Sequence, residues 1–99
     1  MIQADSLKNL YLKAKLAFNK CMLNPDNGYL KDEINTPIND IILMEDFVCV
    51  KFLKYEIDTF VIKVKLQLIS PDNRLIGKYF YYENETGDPV DDSLIFDNS

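Results

Sequence analysis

Residues 60–83 read FVIKVKLQLISPDNRLIGKYFYYE, and the rest of the chain has to pack on this stretch, extend it or decorate it. Phe60, Ile62, Val64, Leu66 and Leu68 alternate with Val61, Lys63, Lys65 and Gln67, a period of two that puts one apolar and one mostly polar face on a strand. Branched and aromatic side chains fit a pleated surface. Ser70-Pro71-Asp72-Asn73-Arg74 supplies the reversal: Pro71 pre-sets φ, and Asp72 and Asn73 tolerate turn and left-handed conformations. Leu75 to Glu83 returns as the second strand of a hairpin, with Leu75, Gly77, Tyr79 and Tyr81 on one face and Ile76, Lys78, Phe80 and Tyr82 on the other. Large side chains on both faces imply either a sheet covered twice by its own chain or one face kept for a partner.

Upstream, residues 5–23 predict an amphipathic helix. Leu7, Leu10, Tyr11, Ala14, Ala17, Phe18, Cys21 and Met22 follow the three-and-four spacing of an apolar stripe, and Leu12, Leu16 and Leu23 widen it. Asp5 or Ser6 is placed to cap it, and Asn24-Pro25-Asp26-Asn27-Gly28 ends it. Residues 29–40 form a connector. Strands are expected over 38–44 and 47–55, separated at Glu45 and Asp46, with Glu56-Ile57-Asp58-Thr59 turning into the central strand. Residues 84–92 have loop composition, with 94–96 a short edge strand. The predicted architecture is α+β: one N-terminal helix on an antiparallel meander of three to five strands, in a single domain. Helix-then-meander is also the element order of cystatin-like folds, an analogy that carries no function.

Composition narrows the functional classes. The chain has 99 residues, 47% of them hydrophobic, and a net charge of −5. That content argues against disorder, and no apolar run approaches the ~20 residues of a membrane span. Without a secretory pattern at the N-terminus the expected compartment is the cytoplasm, where Asn84-Glu85-Thr86 is a sequon by coincidence. Cys21 and Cys49 have neither metal nor redox spacing and read as small buried hydrophobes. Residues 83–99 hold six acidic and no basic side chains. A net acidic chain is ill suited to nucleic acid or anionic membranes. The run Lys78-Tyr79-Phe80-Tyr81-Tyr82 could stack bases, but its spacing departs from the RNA-recognition pattern, and acidic residues follow. It reads as sheet packing.

Nothing in the chain assembles into catalytic equipment. It contains no histidine, which removes the commonest general base, nucleophile activator and metal ligand. Its serines and cysteines therefore lack an imidazole partner, and Gly28, Gly77 and Gly87 form no phosphate loop. Asp88, Asp91 and Asp92, and the group around Asp26 and Asp32, lack the alternation of a Ca²⁺ loop. No catalytic residue, metal or cofactor is expected.

What remains is a small acidic protein-binding module. The profile resembles bacterial immunity proteins, antitoxins and phage-encoded inhibitors, which cover a basic active site with carboxylates and anchor through aromatic rings. That resemblance implies a basic protein partner, such as a toxic enzyme, with Tyr79, Tyr81 and Tyr82 as anchors and Glu83, Glu85, Asp88, Asp91 and Asp92 as the electrostatic complement. Two alternatives stand beside it. One is a small-molecule binder whose helix-over-sheet cavity is lined by Tyr11, Phe18, Phe60 and Tyr79. The other is a homodimeric adaptor or secretion chaperone that pairs a sheet face or edge with its own copy or a client. Monomer and homodimer both fit the sequence.

Overall fold

The computed structural model describes residues 4–23, 40–52 and 59–96. Helix α1 (Ala4–Leu23) precedes four strands: β1 (Ile42–Phe52), β2 (Phe60–Ile69), β3 (Leu75–Asn84) and β4 (Pro89–Phe96). They form one antiparallel sheet in the order β1-β2-β3-β4, a meander with the helix on one face. The chain is an α+β protein of the predicted kind.

The alternation in β2 and β3 explains which face the helix covers. Val64 pairs with Tyr81, Leu66 with Tyr79 and Leu68 with Gly77, so these side chains share one side of the sheet. Leu10, Tyr11, Ala14, Phe18 and Met22 of α1 bury onto that side, and Phe18 meets Tyr79 edge to face with ring centroids 5.4 Å apart. Burying a Phe or Leu side chain contributes about 1.5–3 kcal/mol, so this single stripe supplies most of the helix's hold on the sheet. The stripe is narrower than the sequence suggests. Leu12, Leu16 and Leu23 are 54%, 59% and 67% exposed, because a single helix on a sheet buries only the side chains pointing at it. Asp5 and Ser6, expected before the helix as caps, lie within its span.

The two expected strands around Glu45 and Asp46 are one. Strand β1 runs unbroken through these residues, and its register slips between Glu45 and Phe47 as a β-bulge. Asp46 is held there by Lys65 at 3.0 Å and by a hydrogen bond donated from Gln67 at 3.1 Å. Lys65 and Gln67 together hold the Asp46 carboxyl below its usual range. A bulge adds one residue and increases twist, a common device on an edge strand. Residues 38–39 and 53–55, also expected as strand, lie outside the described residues, as does most of the 29–40 connector.

At the β2–β3 turn the expected chemistry is present. Asn73 adopts φ 65°, the N–H of Asn73 donates to the Ser70 carbonyl, and the Ser70 hydroxyl donates to Asp72. The larger departure comes after β3. Residues expected as acidic loop form strand β4, which starts at Pro89 instead of at Leu94. Gly77 permits this pairing, since a Cβ there would stand 2.6 Å from the Ile95 carbonyl oxygen.

Candidate functional site

The acidic segment is built upward from Asn84. Its side-chain oxygen accepts from the Thr86 N–H, the Thr86 hydroxyl and the Asp88 N–H, at 3.1, 2.7 and 2.9 Å. Gly87 closes the turn at φ 85°, a conformation that side chains disfavour. The Thr86 hydroxyl also reaches the Asp88 carboxylate at 3.0 Å. Strand β4 then leaves with Asp91 opposite Tyr82 and Asp92 opposite Tyr81, so the two carboxylates point to opposite sides of the sheet. Asp92 accepts a hydrogen bond from the Tyr79 hydroxyl at 2.9 Å, tying the edge strand to the core. Burial, followed by the Asp92 bond and charge, pushes the Tyr79 phenol far above its usual range. Glu85, Asp88, Asp91 and Asp92 are thus exposed at fixed positions along one edge.

The expected aromatic anchors are elsewhere. Tyr79 and Tyr81 are 0% and 4% exposed beneath the helix, because their strand positions face the apolar stripe. They belong to the core and are not surface anchors. Glu83 is also inward, 1% exposed, and its carboxylate is met by Lys13 of α1 at 3.2 Å. It is a buried ion-pair partner, not part of a surface complement. Only Tyr82 of the three tyrosines faces away from the helix, half-buried beside Lys63. The surface set therefore reduces to Tyr82 and four carboxylates.

Two features adjoin this edge. The first is a groove of about 720 Å³ between α1 and β4, with Leu16, Ala17, Lys20 and Cys21 on the helix side, Tyr79 below, and Pro89 and Asp92 opposite. It exists because α1 packs on β1, β2 and β3, and the sheet continues one strand past it. Of the cavity lining expected from sequence, Tyr11 and Phe18 lie in the packed core and Phe60 packs edge-on against Phe52. Only Tyr79 reaches the groove. Burial, with the nearby Asp92 charge, pushes the Cys21 thiol up.

The second is the open face of the sheet. Across the strands run the rows Phe47–Lys65–Phe80 and Cys49–Lys63–Tyr82–Asp91, with Gln67 paired to Lys78 alongside. The Lys63 ammonium lies 4.5 Å from the Phe80 ring centroid and 6.0 Å from that of Tyr82, and the Lys65 ammonium is 5.4 Å from Phe47. Cys49 is exposed on this face, contrary to the expected buried role, and the sheet separates it from Cys21. The alternation in the sequence places Tyr79 and Tyr81 on one face of residues 78–82 and Lys78, Phe80 and Tyr82 on the other. The pleat keeps that division, sending Tyr79 and Tyr81 to the core and the other three outward. Only the strand register brings Lys63 and Lys65 beside them.

Among the described residues, no three His, Cys, Asp or Glu side chains converge to hold a metal ion, and no helix is long and apolar enough to cross a membrane. No family model, curated protein or solved structure matches this chain.

Proposed function

We propose that the chain is a non-catalytic protein-binding module of the neutralising-inhibitor kind, which meets a basic partner surface with β4 and the turn before it. The observation that supports this reading is the ordering of the acidic segment. Glu85, Asp88, Asp91 and Asp92 stand exposed on a hydrogen-bonded turn and an edge strand, held at one end by Tyr79 and Asn84. Carboxylates fixed before the encounter lose little freedom on binding, and they speed association through long-range attraction. The groove behind β4 adds an apolar recess in which a partner side chain can seat.

The test is affinity capture from the source cell's lysate with the wild-type chain and with a Glu85→Lys/Asp91→Lys variant, eluting at rising salt. These two positions avoid the Asp92–Tyr79 and Asp88–Asn84 bonds and give up only the exposed Asp92 N–H bond to Asp91, and far-UV circular dichroism checks that the variant is folded. The reading expects a basic protein released late from the wild type and absent from the variant. The same protein captured equally by both would refute it.

The groove also favours a second reading, a small-molecule binder, since its volume lies within the ~300–1,000 Å³ range of ligand sites. A ligand raising Tm for the wild type and not for Ala17→Phe would establish it.

A further inference from the structure

We propose that the open face of the sheet binds single-stranded nucleic acid. The proposal is independent of the acidic edge and rests on a different surface. Three rings, Phe47, Phe80 and Tyr82, and three lysines, Lys63, Lys65 and Lys78, share the side that the helix does not cover. None of the six is buried. Each lysine of β2 stands beside a ring, with Lys63 between Phe80 and Tyr82 and Lys65 over Phe47.

This alternation has a chemical complement. Every nucleobase offers a flat π surface and every nucleotide a phosphate, so rings interleaved with ammonium groups suit a strand with its bases unstacked. An acidic peptide would satisfy the lysines and leave the rings without a counterpart. Neighbouring strands lie about 4.8 Å apart and alternate residues about 6.7 Å apart, so the patch accommodates about three or four nucleotides.

The overall charge of −5 does not decide the matter, because among the described strand residues only Asp46 and Asp91 bring carboxylates to this face, while Glu45, Glu83 and Asp92 register on the helix side. Screening confines each charge to about 8 Å at physiological salt, so the local balance governs. On this face Asp46 is engaged by Lys65 and Gln67, and Asp91 sits at the β4 margin opposite Tyr82. Single strands would run over β1, β2 and β3 and avoid β4.

The experiment is fluorescence anisotropy of the full chain with labelled oligo(dT), oligo(U) and a duplex of equal length, over a series of salt concentrations. The proposal expects binding to single strands in preference to duplex, with a log–log salt slope of about −1.4 for two phosphates neutralised by Lys63 and Lys78, since Lys65 is held by Asp46. Tyr82→Ala should weaken binding by roughly fivefold to a hundredfold, the loss typical of one stacked base. Lys63→Gln, a milder change, should flatten the slope by about 0.7. Backbone amide NMR shifts should gather at Lys63, Phe80 and Tyr82. No binding at low salt overturns the proposal, as does equal binding of duplex. So does affinity that survives both substitutions. Competition by polyglutamate as effective as that of oligonucleotide would overturn it too, in favour of an acidic peptide.

Discussion

Replacing Lys13 with methionine tests the internal ion pair that ties the helix to the sheet. Lys13 Nζ lies 3.2 Å from Glu83 Oε2, and the side chains are 48% and 2% exposed. At an effective dielectric of ~20 the gross attraction over 3.2 Å is about 5 kcal/mol. Desolvating Glu83 offsets most of that, so the intact pair adds little net stability. Breaking it is a different matter, because methionine leaves the inward carboxylate without its cation. Fully buried pairs lose ~3–5 kcal/mol on such truncation. Here the lysine is half in water, and solvent entering its place relieves part of the loss, so the expected cost is about 2 kcal/mol. For a domain of this size that is roughly 8–16 °C in Tm. Urea unfolding followed by far-UV circular dichroism measures it, with Glu83→Leu and the Lys13→Met/Glu83→Leu double variant completing the cycle. The double variant should recover to within ~1 kcal/mol of wild type, since an apolar pair suits a buried site. If Lys13→Met costs under ~0.5 kcal/mol, or the double variant falls by the sum of the singles, the inward carboxylate does not depend on Lys13 and the reasoning fails.

Three further outcomes follow from the same geometry. Gly77→Ala places a methyl 2.6 Å from the Ile95 carbonyl oxygen, so β4 must shift; a loss of ~1–3 kcal/mol and faster amide exchange in β4 are expected. Burial raises the phenols of Tyr11, Tyr79 and Tyr81 above their unfolded values. A raised folded pKa contributes stability that is complete below the unfolded value of about 10 and is lost as pH rises past it. Urea midpoints should therefore fall above about pH 10, and Tyr79→Phe should reduce the fall. With a thiol reagent, Cys49 should react before Cys21, whose half-buried thiol has its pKa raised; Cys21→Ser should leave the fast phase intact.

How much of this was legible in the sequence depended on how local each cause is. The β2–β3 hairpin was legible because its alternation and its Ser70–Arg74 turn lie within one short stretch. The narrow face of α1 was less so, since helical spacing shows that Leu12 and Leu16 lie near the stripe but not how much of the helix the sheet covers. Strand β4 carries Pro89, Asp91 and Asp92 in a composition typical of loops. Its strand geometry comes from pairing with β3 and from the Tyr79–Asp92 bond, a tertiary influence that outweighs propensity. Of the site, the acidic character of the edge was legible and the division of its neighbours was not. Glu83 looks like the first member of an acidic run, and nothing near it in sequence points to Lys13, seventy positions away. Strand parity placed Tyr81 and Tyr82 on opposite faces, yet parity could not say which of the two faces the helix would cover.

The two proposed surfaces meet at Asp91, where they make opposite demands. Asp91 is exposed on the edge strand and registers against Tyr82 on the open face. As part of the acidic edge its charge draws a basic partner in. As the carboxylate nearest Tyr82 it repels a phosphate approaching the same ring. Asp91→Asn keeps the shape, and an asparagine oxygen can still accept the Asp92 N–H bond seen at 2.8 Å. Its effects are thus confined to charge. Capture of a basic protein should weaken and its release shift to lower salt, while oligonucleotide affinity should rise by a few-fold at low salt and converge with wild type at high salt. A change in the first assay alone would restrict the function to the edge, and a change in the second alone would restrict it to the face. Movement of both in the same direction would contradict the separation of charge on which the two readings depend.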